Sequence, residues 1–217
     1  VFIFMNTKLV NPVLDFINTL CNFIVLNLIF LITCIPVFTI GAALSSLYCV
    51  TMKEARGEYG YLVRTYLQEF KKNFKSGTKA FLILFAAGAL LLFNLVFWFT
   101  FGTIPATVIS ALLFVACIAW FFVFTYTFPL IARFENTTKQ TLQNAFCLTM
   151  SHVKATLFLL LIDALVFFFC LFLAPMKLLM VLFGFAFIAY CQSFILIKVF
   201  EPFENALETD GHSGSEA

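Results

Sequence analysis

One carboxylate stands out as a group able to do chemistry. Asp163 is the only ionisable residue in the interior of the long apolar run Ala155–Met176. It lies about eight residues past the start of that run, or about 12 Å along a helix. An Asp near the centre of a membrane helix costs on the order of 3 kcal/mol to insert, so it should face protein or water. When the surrounding runs are read as spans, Asn27, Tyr190 and Gln192 fall at a similar depth. Asp163, Asn27, Tyr190 and Gln192 therefore form a candidate intramembrane polar layer. Two roles are open to it. Asp163 could titrate at a proton or solute site, or it could be held protonated or hydrogen-bonded as a link between helices. Asn94 lies deeper, toward the other face.

Other chemistries lack the residues to carry them. The chain contains no G-x-x-x-x-G-K-[ST], H-E-x-x-H, G-x-S-x-G or G-x-G-x-x-G. Its two histidines, His152 and His212, fall in a loop and in the tail. Ser45-Ser46 near Tyr48 has no basic partner in sequence to activate a hydroxyl. Cys21, Cys34, Cys49, Cys117, Cys147, Cys170 and Cys191 make no C-x-x-C pair, so they read as small packing residues rather than a metal or redox site. No catalytic residue, cofactor site or metal site is expected, and the chain is not expected to be an enzyme.

The elements that hold these residues follow from composition. Of 217 residues, 63% are hydrophobic and only 11% charged, with a mean hydropathy of +1.04. A soluble domain carries roughly a quarter charged residues, so hydrocarbon is the main solvent here. The 32 Phe against 2 Trp and 6 Tyr agree, since Trp and Tyr favour the headgroup boundary. A net charge of +2 is too small and scattered for a nucleic-acid partner. One membrane domain over residues 1–208 is expected, with a disordered tail at 209–217. No cleavable signal peptide is expected, because the N-terminus has one lysine, Lys8, and no A-x-A-like site before the first long apolar run; the chain opens on Val1.

Charge-free runs count the spans, because in hydrocarbon every backbone amide must be paired within its own segment and about 20 residues cross the core. Ala80–Ala132 is about 53 residues without Asp, Glu, Lys or Arg, enough for two crossings broken at Gly102 and Pro105. A second hairpin turns at Pro175. The run Phe16–Met52 is too long for one crossing and too short for two. Pro36 and Gly41 divide it into a span and a short apolar helix, Ala42 to about Arg56, expected at the interface or partly re-entrant. The expected fold is an all-α polytopic transmembrane bundle of about five spans, near 16–35, 80–101, 105–129, 156–174 and 178–198, plus interfacial amphipathic helices. Six spans are the alternative.

Lysine and arginine set the orientation. Lys53, Arg56, Arg64, Lys71, Lys72, Lys75 and Lys79 crowd one loop, and Arg133, Lys139 and Lys154 another, whereas the opposite turns carry only Lys177. The positive-inside rule puts both basic loops, and with five spans the C-terminus, in the cytoplasm of a cell-membrane protein. Leu62, Tyr66, Phe70 and Phe74 share one helical face in the first loop, as Leu142, Phe146, Met150 and Val153 do in the second. Such faces can lie on the bilayer or dock a cytoplasmic partner. Phe134-Glu135-Asn136 and Phe203-Glu204-Asn205 each follow the end of a span, a thin sign of internal repetition.

The stretch Asn27-Leu28-Ile29-Phe30-Leu31, then Ile35-Pro36-Val37-Phe38-Thr39-Ile40-Gly41-Ala42-Ala43 and Leu47-Tyr48, resembles the YesL family of bacterial integral membrane proteins, a domain of unknown function. The resemblance continues through Phe70-Lys71-Lys72-Asn73-Phe74, Phe128-Pro129-Leu130 with Arg133-Phe134, and Asn144-Ala145-Phe146, over roughly residues 10–165. Pro36, Thr39 and Gly41 form its motif bend: Pro36 interrupts a helix, Gly41 tolerates unusual backbone angles, and Thr39 is placed to cap the next helix. The family is associated with loci for sugar importers. The resemblance therefore implies a non-catalytic accessory component of a carbohydrate (ABC-type) uptake system, with importer permease subunits as partners and Phe70, Lys71, Lys72 and Phe74 as a possible docking loop. The alternative is a small stand-alone transporter or channel that uses the polar layer around Asp163.

Overall fold

A computed structural model describes residues 12–58 and 60–213, with side chains from 19 to 204 apart from 59. The described residues form helices and no strands, in an all-α bundle. The order is α1 (Pro12–Cys34), a 3-10 turn (Val37–Thr39), α2 (Ile40–Ala55), α3 (Leu62–Thr100), α4 (Ile104–Arg133), α5 (Thr138–Ser151), α6 (Val153–Phe172), α7 (Ala174–Leu179), a π-turn (Met180–Gly184) and α8 (Phe185–Ser213). Leu62–Thr100, Ile104–Arg133, Val153–Phe172 and Ala174–Glu204 are long and apolar enough to cross a bilayer. In α1, the stretch with described side chains, Thr19–Cys34, forms a shorter apolar helix.

Three expectations are corrected. The short helix after Pro36, expected at the interface or partly re-entrant, is not peripheral to the bundle. As α2 it is the packing centre, touched by α1, α3, α4 and α8, and Ala42, Ala43, Ser45, Ser46 and Thr51 are fully enclosed. The expected loop helix and the span at 80–101 are one continuous helix, the 39-residue α3. At 1.5 Å per residue it is about 58 Å long, roughly twice the hydrocarbon thickness, so its charged first third must project beyond the core. The stripe on that third turns inward: Tyr66 is fully buried, and Leu62 and Phe70 pack around it against α1 and α2. Finally, α8 runs on through Ser213, so the first five residues of the expected disordered tail are helical; residues 214–217 lie outside the described residues.

Small residues explain why α2 can sit so deep. A Cβ placed on Gly41 would come within 2.2 Å of the Gly77 carbonyl oxygen and 2.6 Å of the Phe81 Cβ. A Cβ on Gly77 would come within 2.8 Å of the Ala42 nitrogen. The backbones of α2 and α3 therefore touch. Lipid tails are as apolar as leucine, so helices associate in a bilayer through such close approach and through polar links. α3 and α4 make the next contact, where the Trp120 ring lies over Gly88 and its Nε1 donates to the Leu84 carbonyl at 2.9 Å. α5 opens with a capping box between Thr137 and Gln140. It buries Thr141, Ala145, Leu148 and Thr149 while Phe146 and Met150 stay exposed, so the apolar stripe of this loop faces out.

Candidate functional site

The bend after α1 is built differently from a helix cap. Pro36 has no N–H to offer the turn before it. Thr39 does not cap α2: its hydroxyl donates back to the carbonyls of Thr33 and Pro36, both at 2.6 Å. Thr39 thus serves carbonyls left open where α1 stops, and Thr33 Oγ1 meets the Tyr66 hydroxyl at 2.6 Å. Gly41 follows as the point of contact with α3.

The four residues of the expected polar layer separate into three places. Gln192 and Asp163 come together, with Gln192 Nε2 donating to Asp163 Oδ1 at 2.7 Å. Tyr48, which the sequence reading had not placed in the layer, completes the set by donating its hydroxyl hydrogen to Gln192 Oε1 at 2.5 Å. One polar chain thus ties α2, α8 and α6 together inside the bundle. One turn farther along α2, Thr51 Oγ1 meets Ser193 Oγ at 2.9 Å. The Ser45 and Ser46 hydroxyls both donate to the Ala42 carbonyl, so they serve as small, internally bonded packing residues.

Asn27 belongs to another arrangement. Its Nδ2 donates to the carbonyls of Val181 at 2.7 Å and Met180 at 3.2 Å, and its Oδ1 accepts from the Ala186 N–H at 3.0 Å. These three groups flank the π-turn, where the regular i to i−4 ladder is displaced by one residue. A fully buried amide side chain therefore stands in for the missing backbone partners. Tyr190 packs edge-on against Phe23 and Phe194, with ring centroids 5.2 and 4.9 Å away.

Two spaces meet at Asp163. A half-open cleft of about 300 Å³ is lined by Phe30, Tyr48, Asp163, Phe185 and Gln192 among others. A groove of about 580 Å³ runs between α4 and α6, lined by Ile118, Phe121, Leu160, Asp163 and Phe167. Asp163 and Phe167 line both, and their i, i+4 spacing puts them on one face of α6.

A second cluster closes the charged end. Glu204 lies beyond the apolar run of α8, after Lys198 and Glu201, and grips two arginines. Arg133 engages both of its carboxylate oxygens through Nε and Nη2. Arg56 Nη2 reaches the same two oxygens at 2.8 and 3.1 Å. The ends of α2, α4 and α8 are pinned by one carboxylate. The Arg133 guanidinium holds the Glu204 carboxyl below the usual carboxylate range; partial burial opposes this and Arg56 adds to it. The sequence reading used these arginines only as orientation signals; the Glu204 link joins residues 148 and 71 positions apart. The first Phe-Glu-Asn tripeptide meets the start of the second nearby: Phe134, Glu135, Asn136 and Phe203 line one cavity of about 510 Å³. Along the expected docking loop, Phe70 is half-buried, Lys71 and Phe74 are exposed, and Lys72 pairs with the exposed Glu135 at 2.6 Å.

A family model described as "Protein of unknown function, DUF624" matches residues 23–95. The matched stretch covers about half of α1, all of α2 and the greater part of α3, including the bend and the Gly41–Gly77 contact. No curated protein and no solved structure matches the chain.

Proposed function

We propose that this chain is a non-catalytic integral membrane protein that works by associating with other membrane proteins, as an accessory component of a carbohydrate uptake system of the ABC type. The observation that supports association is Asn94. It sits about fifteen residues past Lys79 in the apolar part of α3, roughly 22 Å along the helix. Its described hydrogen bond is local, from Nδ2 to the Leu90 carbonyl at 2.8 Å. Its neighbours Leu90, Phe93 and Phe97 are exposed. The rest of the amide's bonding capacity is left for a helix outside the chain, and such a link in hydrocarbon is worth roughly 0.6–2 kcal/mol.

The carbohydrate setting rests on the resemblance to the YesL family, with which the matched family description is consistent. In this reading the basic ends face the cytoplasm of a cell membrane, and importer permease subunits are the partners. Phe74, Lys71 and their neighbours then supply a cytoplasmic contact beside the intramembrane one. Purification of the tagged full chain in mild detergent, with identification of what accompanies it, is the test. Importer subunits should be recovered, and Asn94→Leu should reduce their yield. Recovery of the chain alone, in repeated preparations, would refute the accessory role.

A further inference from the structure

Asp163 occupies a place that the accessory reading does not use. It lies about ten residues past the start of α6, or about 15 Å along that helix, near the middle of a hydrocarbon core about 30 Å thick. Phospholipid headgroups do not reach that depth, and an unsolvated carboxyl there is costly. The half-open cleft beside it is of small-molecule size, at about 300 Å³. Its walls include the rings of Phe30, Phe167 and Phe185, and its polar edge is the chain Tyr48–Gln192–Asp163. The adjoining groove of about 580 Å³ is almost wholly apolar and lies between two spanning helices, α4 and α6.

A matching ligand has a small flat head with oxygens at separated points and a long hydrocarbon tail, and it resides at the bilayer centre. We infer that this is a binding site for a prenylated quinone, with the ring in the cleft beside Gln192 and the tail running past Asp163 and Phe167 along the α4–α6 groove. The second N–H of the Gln192 amide, beyond the one given to Asp163, is a donor for a quinone carbonyl oxygen. The Asp163 carboxyl is an acceptor for the hydroxyl of the reduced ring. A prenyl alcohol fits worse: its single hydroxyl meets the polar edge at one point rather than two, and it has no ring for the aromatic walls.

The test uses the full chain in nanodiscs of defined lipid. It is loaded either with a naphthoquinone bearing a four-unit prenyl tail or with geranylgeraniol, the alcohol of the same tail. Bound ligand per chain is measured after re-isolation. The quinone should saturate near one per chain and resist competition by the alcohol. Gln192→Leu removes a donor from the head and should weaken retention about tenfold. Ala164→Phe fills the groove from an exposed position on α6. It should weaken retention to a similar extent without lowering the thermal midpoint, which keeps the test valid should the Gln192 variant fail to fold. Retention that grows without saturation, that is unchanged in Ala164→Phe, or that the alcohol matches would overturn the assignment.

Discussion

Gly41→Ala adds one methyl group at the point where α2 crosses α3. The new Cβ would lie 2.2 Å from the Gly77 carbonyl oxygen, more than 1 Å short of ordinary contact, which begins at 3.4 Å. The nearest obstacle is backbone, which cannot swing aside as a side-chain tip can. The helices must part by on the order of 1 Å, and α2 carries contacts to α1, α4 and α8 with it. Overpacking of this kind costs about 1–3 kcal/mol. Helix propensity returns up to about 1 kcal/mol, since alanine is the better helix former. A net loss of about 1 kcal/mol, from the middle of the overpacking range, lowers the thermal midpoint by about 2–4 °C in a chain of this size. Two other glycines calibrate the result. Gly88→Ala meets the Trp120 ring at 2.5 Å, an obstacle that can move, so it should cost less and displace Trp120 from the Leu84 carbonyl. Gly60→Ala meets nothing within 4 Å and should be neutral. Thermal melts in detergent, followed by tryptophan fluorescence, give the ranking. A Gly41→Ala protein as stable as Gly60→Ala would refute the close-crossing argument.

Asn27→Leu should lower stability by about 2 kcal/mol in the same melts, because the Met180 and Val181 carbonyls and the Ala186 N–H lose their side-chain partner in a buried setting; unchanged stability would mean that the π-turn does not depend on it. Glu204 carries a pH signature. Its carboxyl is depressed in the folded chain, so its contribution is fully present above the unfolded value of about 4.3 and is lost as pH falls through the lower folded value. The wild-type melting temperature should therefore drop on acidification below about pH 4, while Glu204→Gln should start lower at neutral pH and respond less to acid.

The helical class and the apolar hairpins were legible because hydrocarbon leaves a segment such as Ala80–Thr100 no other way to pair its backbone. Asp163 and Gln192 were legible as neighbours from depth alone. What depth could not supply was rotation about each helix axis. Asn27 and Gln192 could be assigned similar depth, yet one turns to the π-turn and the other to Tyr48. The π-turn itself has no local sequence mark, and the amide that bonds its carbonyls is 153 residues away. The burial of α2 did have a mark that was read too narrowly. Gly41-Ala42-Ala43 and Ser45-Ser46 are the small residues that let helices approach closely, but apolar length was weighed ahead of side-chain size. Likewise, Thr39 was read as a cap from its position before a helix, whereas the carbonyls orphaned around Pro36 compete for the same hydroxyl.

Side-chain size also explains why one region of the bundle is tight and another open. Around α2 the meeting residues are Gly, Ala, Ser and Thr, and the contacts are backbone-close or hydrogen-bonded. Between α4 and α6 the residues are Phe121, Phe122, Leu160 and Phe167, and a groove remains. In water the second set would collapse most strongly, since it has the most apolar area to hide. In a bilayer that drive is absent, because lipid tails solvate phenylalanine as well as another helix does, and only close packing or polar bonds hold helices together. Among the described residues, most phenylalanines are therefore an outward-facing solvent layer more than a core, and Asp163 stands at the border between the two regimes: bonded to Gln192 on the side that is packed, and open to the groove on the side that is not.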